Sequence, residues 1–276
     1  MSKIGVGVIT CDRMDMYHVC IESLKEAWCD ELVTVDDGKK DYVLAPKGEY
    51  IKTDGGIGVG KAKNKALQHL LDKGCDYIVL VEDDMKFSDN IFKAYVDAYK
   101  KTGIHHFMFA YHGPANKAGI SYGKPVPRNV IDYGNVKVAL NQHCVGAVTF
   151  YTRESLEKVG LYDENFTNAF EHVDHSFQLA KNGFSTPYWW WADIANSLDY
   201  VQEQKCSEES SAIRPRSDWQ SNIQTAAQYF MKKNNVSPVR VPDTPQDQIV
   251  EILKRYKELI DEKRKSKRQA NVSDSC

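Results

Sequence analysis

The chain has 276 residues with a formal net charge of −2, and 42% of its residues are hydrophobic. This length suits one large domain or two small ones, and a charge near zero excludes a general attraction to nucleic acid or to membrane surfaces. No stretch approaches the roughly 20 apolar residues of a transmembrane helix, and seven scattered cysteines without a CxxC pair indicate a reduced, cytoplasmic protein without a zinc site.

Strands and helices alternate over residues 1–110. Short β-branched and apolar runs predict strands at 4–10, 32–35, 50–52, 77–81 and 106–110. Apolar residues at helical spacing predict helices that begin near Asp15, Val59 and Asn90. Strands that alternate with helices form a mostly parallel sheet, and the loops after its strands share one edge, where ligands bind.

The second half of the chain is less regular. A Gly- and Pro-rich segment, 113–128, is expected to form a surface loop or flap. Further strands are predicted at 145–151 and 186–191, and further helices at 153–159, 171–182, 218–231 and 246–260. We therefore expect an α/β domain over 1–205, a helical extension over 206–262, and a basic, disordered tail over 263–276.

Three consecutive carboxylates, Glu82, Asp83 and Asp84, follow the most apolar strand. Like charges at such a strand end repel one another unless a cation neutralises them, and carboxylate oxygens suit Mg²⁺ or Mn²⁺. A metal ion there could hold a diphosphate leaving group and neutralise the charge that develops on it. The alternative is an acidic loop that caps the next helix.

Two more polar segments follow strands of the same half. Asp36 and Asp37 could accept hydrogen bonds from a ribose or a base, or could simply form an Asp-Gly turn. Segment 55–62 nearly matches a P-loop, but Ala62 stands where that motif needs a hydroxyl for Mg²⁺. A helix N-terminus that faces a phosphate is therefore the better interpretation of this segment.

Titratable side chains also open the predicted helix at 171. Glu171, His172, Asp174 and His175 could include a general base, or the acids could simply cap the helix. Three tryptophans at 189–191 could form a platform for a sugar or a base, or could pack in the core.

Taken in this order over residues 3–185, the segments resemble the family 2 glycosyltransferases, which have the GT-A fold. The matching segments are 7–13, 35–38, 58–64, 82–84, 146–151, 160–164 and 170–174. Two positions depart from the family pattern. Lys63 stands in place of an arginine, and His172 stands where the family has its catalytic aspartate.

The resemblance implies a Rossmann-like GT-A fold, a mixed and mostly parallel sheet flanked by helices. Residues 1–110 would be the nucleotide-sugar-binding half, 111–205 the acceptor half, and the flap a lid that excludes water. The implied donor contacts are Thr10, Asp12, Arg13, Asp36, Asp37, Gly60, Lys61, Asn64 and Asp83. Mn²⁺ or Mg²⁺ would bind Asp84, Glu82 and Asp193. The base would be Glu171, His172 or Asp174, with Glu171 slightly favoured.

The activity that the resemblance implies is inverting transfer of a hexosyl or pentosyl group from a nucleotide sugar, most often a UDP-sugar, to a hydroxyl. The acceptor stays open between a glycan, a protein and a hydroxymethylated base of phage-type DNA. One alternative is a nucleotidyltransferase, although that class needs a glycine-rich loop after its first strand and 10–16 has no glycine. Another is a catalytically inactive nucleotide-sugar-binding module, which His172 suggests.

Overall fold

The computed structural model describes residues 2–40, 47–119, 123–205 and 218–273. The strands are β1 (Ile4–Thr10), β2 (Glu31–Asp36), β3 (Glu49–Lys52), β4 (Tyr77–Glu82), β5 (Met85–Phe87), β6 (His106–Met108), β7 (Asn129–Asp132), β8 (Lys137–Asn141), β9 (Val148–Thr152), β10 (Trp191–Ile194) and β11 (Val201–Glu203). The helices are α1 (Met14–Ser23), α2 (Val59–Asp72), α3 (Ile91–Thr102), α4 (Arg153–Val159), α5 (Glu171–Lys181), α6 (Trp219–Asn234) and α7 (Gln246–Ser273).

The central sheet has six strands in the order β3-β2-β1-β4-β9-β6. The strands β1 to β4 are all parallel to one another, whereas β9 runs antiparallel to both of its neighbours, β4 and β6. The register pairs Thr10 with Asp36 and Ile9 with Glu82, so the carboxyl ends of three strands meet at one edge. The predicted mixed, mostly parallel α/β sheet is therefore confirmed.

Both faces of this sheet are covered by helices, which explains why β4 is apolar at almost every position. Val79 and Val81 pack in one core with residues of α1 and α3, whereas Ile78 and Leu80 pack in a second core with residues of α2. Alternate side chains of a strand point to opposite faces. A continuous apolar run is therefore what a strand buried on both faces requires.

Two small sheets complete the α/β part, with the orders β10-β8-β7 and β11-β5. The predicted strand at 186–191 is wrong, because only Trp191 of that range is in β10. Trp189 has a φ of 70° and Trp190 N–H donates to the carbonyl oxygen of Pro187, so the segment turns before the strand begins. The predicted strands at 106–110 and 145–151 are present in shorter or shifted form as β6 and β9.

The helices α6 and α7 pack back onto the α/β part of the molecule. Phe230 of α6 is fully buried and its ring lies 5.5 Å from that of Phe177 in α5. Tyr256 of α7 donates to the carbonyl oxygen of Ser185. The helix α7 continues past residue 263, where disorder was predicted, because no glycine or proline interrupts 246–273. Among the described residues, no helix combines the length and apolarity that crossing a membrane requires.

Candidate active site

A cleft of about 250 Å³ lies at the sheet edge where β1, β2 and β4 end. Its walls include Thr10, Asp12, Arg13 and Asp37, four of the nine predicted donor contacts, and Glu82, a predicted metal ligand. Lys39, which follows the turn after β2, also lines this cleft. The carboxyl edge of a parallel sheet is where ligands bind in open α/β folds, so the cleft is the candidate site.

Arg13 joins the first strand to the acidic end of β4. Its guanidinium donates to Asp83 and, over 3.1 Å from Nη1 to Oδ2, to Asp84. Burial opposes the charge of Arg13, but Asp83 and Asp84 outweigh it and raise the pKa of the guanidinium. The hydroxyl of Thr10 donates to the remaining oxygen of Asp83 over 2.7 Å. Both oxygens of Asp83 therefore bind residues at the end of β1 and just after it. The side chain is fully buried and does not line the cleft, so it is not placed for the predicted donor contact.

Asp84 is the carboxylate that fits a metal ion best. Its Oδ1 is buried and no residue of the described chain hydrogen-bonds it. Mg²⁺ commonly binds proteins through one or two carboxylates and takes its other ligands from water and substrate phosphates. One carboxylate oxygen without a partner is therefore enough to contribute to such a site. Asp84 does not itself line the cleft, but it is bound to Arg13, which lines the cleft together with Glu82.

Asp193 does not join Glu82 and Asp84. Both of its oxygens accept hydrogen bonds, from Tyr95, Ala110, Ile194 and Ser197. Within the described ranges, no three acidic, histidine or cysteine side chains are grouped as a metal centre. The third predicted ligand is thus a structural residue of β10 that fastens the strand to α3 and to the end of β6.

The two aspartates after β2 have different surroundings. Asp36 accepts from Tyr50 and Lys52, each over 2.8 Å, and does not line the cleft. Asp37 lines the cleft and accepts hydrogen bonds from the Thr53 hydroxyl and from two backbone N–H groups of the glycine-rich loop, those of residues 57 and 58. Asp36 therefore stabilises the sheet edge, whereas Asp37 shapes the wall of the cleft.

The glycines of the loop serve close packing. Gly58 has a φ of 98°, and a Cβ there would lie 2.7 Å from the carbonyl oxygen of Thr167. A Cβ on Gly60 would lie 3.0 Å from the carbonyl oxygen of Phe166. Lys61 is exposed, and neither it nor Asn64 lines the cleft. Gly60 and Lys61 were predicted to contact the donor, but neither residue lines the cleft.

Asn64 has a structural task instead of the predicted donor contact. Its Nδ2 donates to the carbonyl oxygen of Tyr162 and its Oδ1 accepts from the N–H of the same residue, both over 2.9 Å. These paired hydrogen bonds hold the loop after α4 against α2. Tyr162 lies in segment 160–164, so two segments of the family pattern meet at this contact.

Lys63 connects the acidic strand end to α5, and it was absent from the predicted site residues. The side chain is fully buried, and its Nζ lies 2.8 Å from Glu82 Oε1 and 3.4 Å from Glu171 Oε1. Burial would raise the pKa of Glu82, but Lys63 outweighs it and lowers that pKa. The sequence signal was present, because Lys63 stands where the resembled family has an arginine.

The helix α5 begins with the other candidate catalytic groups. Phe170 has a φ of 61°, a left-handed conformation that turns the chain into the helix. Glu171 Oε1 lies 3.0 Å from His172 Nδ1. Asp174 is instead bound by Lys233 over 2.7 Å and by Asn234 over 2.9 Å. The structure therefore brings Glu171 and His172 together and uses Asp174 to hold α6.

The flap and the tryptophans are both fastened to the later part of the chain. Glu203 accepts hydrogen bonds from the N–H of Gly113 and from Lys117, at the start of the flap. Trp189 and Trp190 donate their indole N–H groups to residues 241–244. Of the two interpretations of 189–191, the structure favours packing over a sugar platform, because the rings of Trp189 and Trp190 hold the connection between α6 and α7 and Trp191 is buried in the core.

The fold and the cleft define an α/β protein with a candidate ligand site at the carboxyl edge of a mostly parallel sheet. The structure resembles that of S. aureus TarS, with a TM-score of 0.53, 14% identity, and coverage of 92% of this chain and 42% of that chain. It also resembles TarS residues 1–349 in complex with UDP-GlcNAc, with a TM-score of 0.51, 15% identity, and coverage of 92% and 71%. These likenesses establish the fold.

In sequence, the chain is 26% identical over 172 residues to a protein of Acanthamoeba polyphaga mimivirus that is named an uncharacterized glycosyltransferase. The match covers 60% of this chain and 61% of the viral protein, so it spans less than two thirds of that relative. No protein-family model matches the chain.

Proposed function

We propose that this protein is an inverting glycosyltransferase that moves a hexosyl or pentosyl group from a UDP-sugar to a hydroxyl, with the help of a divalent cation. The observation that carries the proposal is the cleft at the ends of β1, β2 and β4, which is lined by Arg13, Asp37 and Glu82. Arg13 also donates to Asp84, whose Oδ1 has no hydrogen-bond partner among the described residues. The name of the viral relative supports a glycosyltransferase, and the UDP-GlcNAc complex of TarS supports a UDP-sugar as the donor.

The charges of the cleft suit a nucleoside diphosphate. Arg13 is a permanent cation at its wall, and Lys39 lies beside the glycines at 55 and 56. These two side chains bring positive charge to a site whose acids would otherwise repel phosphate. Asp37 and Asp12 line the same cleft and would accept hydrogen bonds from the nucleoside.

Asp84, together with Glu82, would hold Mn²⁺ or Mg²⁺. Such an ion supplies positive charge to the diphosphate as it leaves. The chain itself contributes the fixed position of the acidic strand end. Arg13 grips Asp83 and one oxygen of Asp84, while the backbone N–H of Gln204 donates to the carbonyl oxygen of Asp84 over 2.7 Å. Preorganised groups of this kind stabilise developing charge without the cost of reorganising.

In the transfer step, the acceptor hydroxyl oxygen forms a bond to the anomeric carbon while the bond from that carbon to the diphosphate breaks. The electron pair leaves with UDP, and a base at the start of α5 takes the hydroxyl proton. A single in-line displacement inverts the anomeric carbon. The flap at 113–128 would exclude water as a lid, and a glycan, a protein or a hydroxymethylated DNA base could supply the hydroxyl.

The proposal is tested by UDP release from UDP-GlcNAc and a panel of other UDP-sugars, with and without Mn²⁺. We expect metal-dependent release, and a UDP-induced rise in melting temperature that grows with Mn²⁺. In Asp84→Asn the metal-dependent part of both signals should disappear. Asp247→Asn, which changes an exposed acid of α7, is the matched control and should keep both.

Other outcomes separate the competing functions. A nucleotide-induced rise in melting temperature without any release of UDP would identify an inactive binding module. Transfer of the nucleotide itself onto an acceptor would identify a nucleotidyltransferase. The absence of both binding and release across the whole panel would overturn the proposal.

A further inference from the structure

The first turn of α5 presents two titratable side chains that touch each other, and they differ sharply in access. Glu171 is 4% exposed, and its Oε1 lies 3.4 Å from the Nζ of Lys63 and 3.0 Å from the Nδ1 of His172. A substrate hydroxyl cannot reach a carboxylate enclosed in this way. Oε1 of Glu171 is already bound to the Lys63 ammonium and to His172 Nδ1, so this carboxylate is held as a hydrogen-bond acceptor and is poorly placed to take a proton from a substrate.

The imidazole of His172 has the opposite character. Its side chain is 25% exposed, and Nδ1 faces the carboxylate of Glu171. Because an ionised carboxylate only accepts hydrogen bonds, the neutral ring must carry its proton on Nδ1, which leaves the lone pair on Nε2. Among the residues that the structure describes, none hydrogen-bonds Nε2. The ring therefore offers an available basic nitrogen.

The orientation of this ring is fixed from two sides. Glu171 binds Nδ1, and Gly146 lies so close that a Cβ there would be 2.8 Å from the Cγ of His172. The other titratable groups at the start of α5 are not available as a general base, because each has partners of its own. Asp174 is bound by Lys233 of α6, and His175 is buried with its Nε2 on the carbonyl oxygen of Gly160.

We propose that His172 is the general base of the transfer reaction and that Glu171 is the residue that positions it. This inference rests on the proposed function and names the base that function needs. It differs from the carboxylate base that the family resemblance favoured.

The step balances within the groups present. The acceptor hydroxyl gives its proton to Nε2 while its oxygen bonds to the anomeric carbon, and the UDP oxygen takes the electron pair of the bond that breaks. The ring becomes an imidazolium beside an ionised carboxylate, an arrangement that stabilises the new charge. The other charged or titratable groups facing the pair are Lys63 of α2, Glu82 behind it, and Cys144, whose thiol points at the His172 carbonyl.

The experiment measures UDP release from UDP-GlcNAc with water as acceptor. We expect His172→Ala and His172→Gln to lower kcat by about 10²- to 10⁴-fold, while the affinity for UDP changes less than about twofold. His18→Ala changes another partly exposed histidine, on α1, and should leave kcat unchanged. The melting temperature of each variant establishes that it is folded.

Glu171→Gln supplies the second readout. Glu171→Gln removes the carboxylate that binds Nδ1, so kcat should fall, though less than in His172→Ala, while the affinity for UDP stays within about twofold. Glu171→Asp, which keeps a carboxylate, should recover part of the lost kcat. An unchanged kcat in Glu171→Gln would give Glu171 a structural role only. If the wild type releases UDP and the His172 variants stay within threefold of it, this inference is overturned and the proposed function stands. If the wild type acts on no donor, the proposed function itself fails.

Discussion

Lys63 occupies a position where a charge is costly unless it is paired. Its side chain is fully buried between Glu82, at the end of β4, and Glu171, at the start of α5. It also donates to the carbonyl oxygen of Gly146. Burial lowers the pKa of such an amine, but the two carboxylates outweigh it and raise the pKa of Lys63. The ammonium therefore keeps two acids of the site ionised at neutral pH.

Removing this charge should destabilise the fold strongly. In Lys63→Met, Glu82 and Glu171 would face each other without a cation, and breaking a buried ion pair costs about 3–5 kcal/mol. Lys65→Met removes an exposed lysine of the same helix and should change stability by less than about 0.5 kcal/mol. Urea unfolding of both variants measures the difference. Equal midpoints for the two variants would contradict the buried network.

Asp193 gives a second prediction, because its four hydrogen-bond donors define a structural role. An asparagine there places an NH₂ group against two of those donors, which then lose their acceptor. Each buried donor left without an acceptor costs about 1–3 kcal/mol of stability. We expect Asp193→Asn to lower the free energy of unfolding while the Mn²⁺-dependent part of the UDP-induced shift persists. A variant of wild-type stability that had lost the metal effect would instead identify Asp193 as a ligand.

At the scale of secondary structure, strands with a strong local signal were predicted well. The run at 77–81 is apolar throughout because β4 is buried on both faces, and the match to the observed strand is nearly complete. The strands β5, β7, β8 and β11 were not predicted. They have three to five residues each, and β11 forms only by pairing with β5, more than 100 residues away in the chain. A strand that depends on such distant pairing leaves little signal in its own sequence.

In the candidate site, too, the local sequence predicted some features and could not predict others. Acids after strands indicated the cleft edge, because the ends of parallel strands must meet there, and Asp37, Arg13 and Glu82 do line it. The partners of each acid could not be predicted. Asp36 is bound by Lys52 of β3, a contact that follows from strand order rather than from local sequence.

The glycine-rich loop supplies a prediction at the level of an element. Gly58 and Gly74 both have a positive φ, at 98° and 80°, but only the former is crowded, by Thr167. Gly74→Ala should therefore cost about 1 kcal/mol, the usual penalty for a strained conformation. Gly58→Ala should cost clearly more and should also weaken UDP binding, because Asp37 binds this loop. Thermal unfolding and UDP titration measure both effects, and equal costs would argue against the crowding.

At the scale of the whole molecule, the helical extension is fastened to the α/β part by a small number of polar contacts beside its apolar ones. Lys233 of α6 bridges Asp163 and Asp174, at 2.8 and 2.7 Å. Arg128 binds Asp243 in the connection to α7 and stacks on Trp190, with 3.7 Å from its Cζ to the ring centre. The start of α5 is thus linked to the cleft residue Glu82 through Glu171 and Lys63, and to the extension through Asp174.

Acid should weaken this attachment. Burial alone would raise the pKa of Asp163, but hydrogen bonds from Lys233, Asn165 and Tyr229 lower it to about 2, below the usual 3.8. A carboxyl with a lowered folded-state pKa stabilises the fold fully above its unfolded pKa. That contribution is lost as the pH falls towards the folded value. The attachment through Asp163 should therefore be complete at pH 5 and weaken progressively between about pH 4 and pH 2.

The measurement is the free energy of unfolding of the wild type minus that of Asp163→Asn, followed from pH 6 to pH 2. Asparagine keeps the shape of the side chain but does not titrate, so the effects of acids that do not share Lys233 cancel in the difference. We expect the wild type to be the more stable at pH 6 and the difference to shrink as the pH falls through this range. A difference independent of pH would mean that the Asp163 carboxylate contributes no charge-dependent stability to the attachment of α6. The extension would then be held by its apolar contacts, such as that of Phe230 with Phe177.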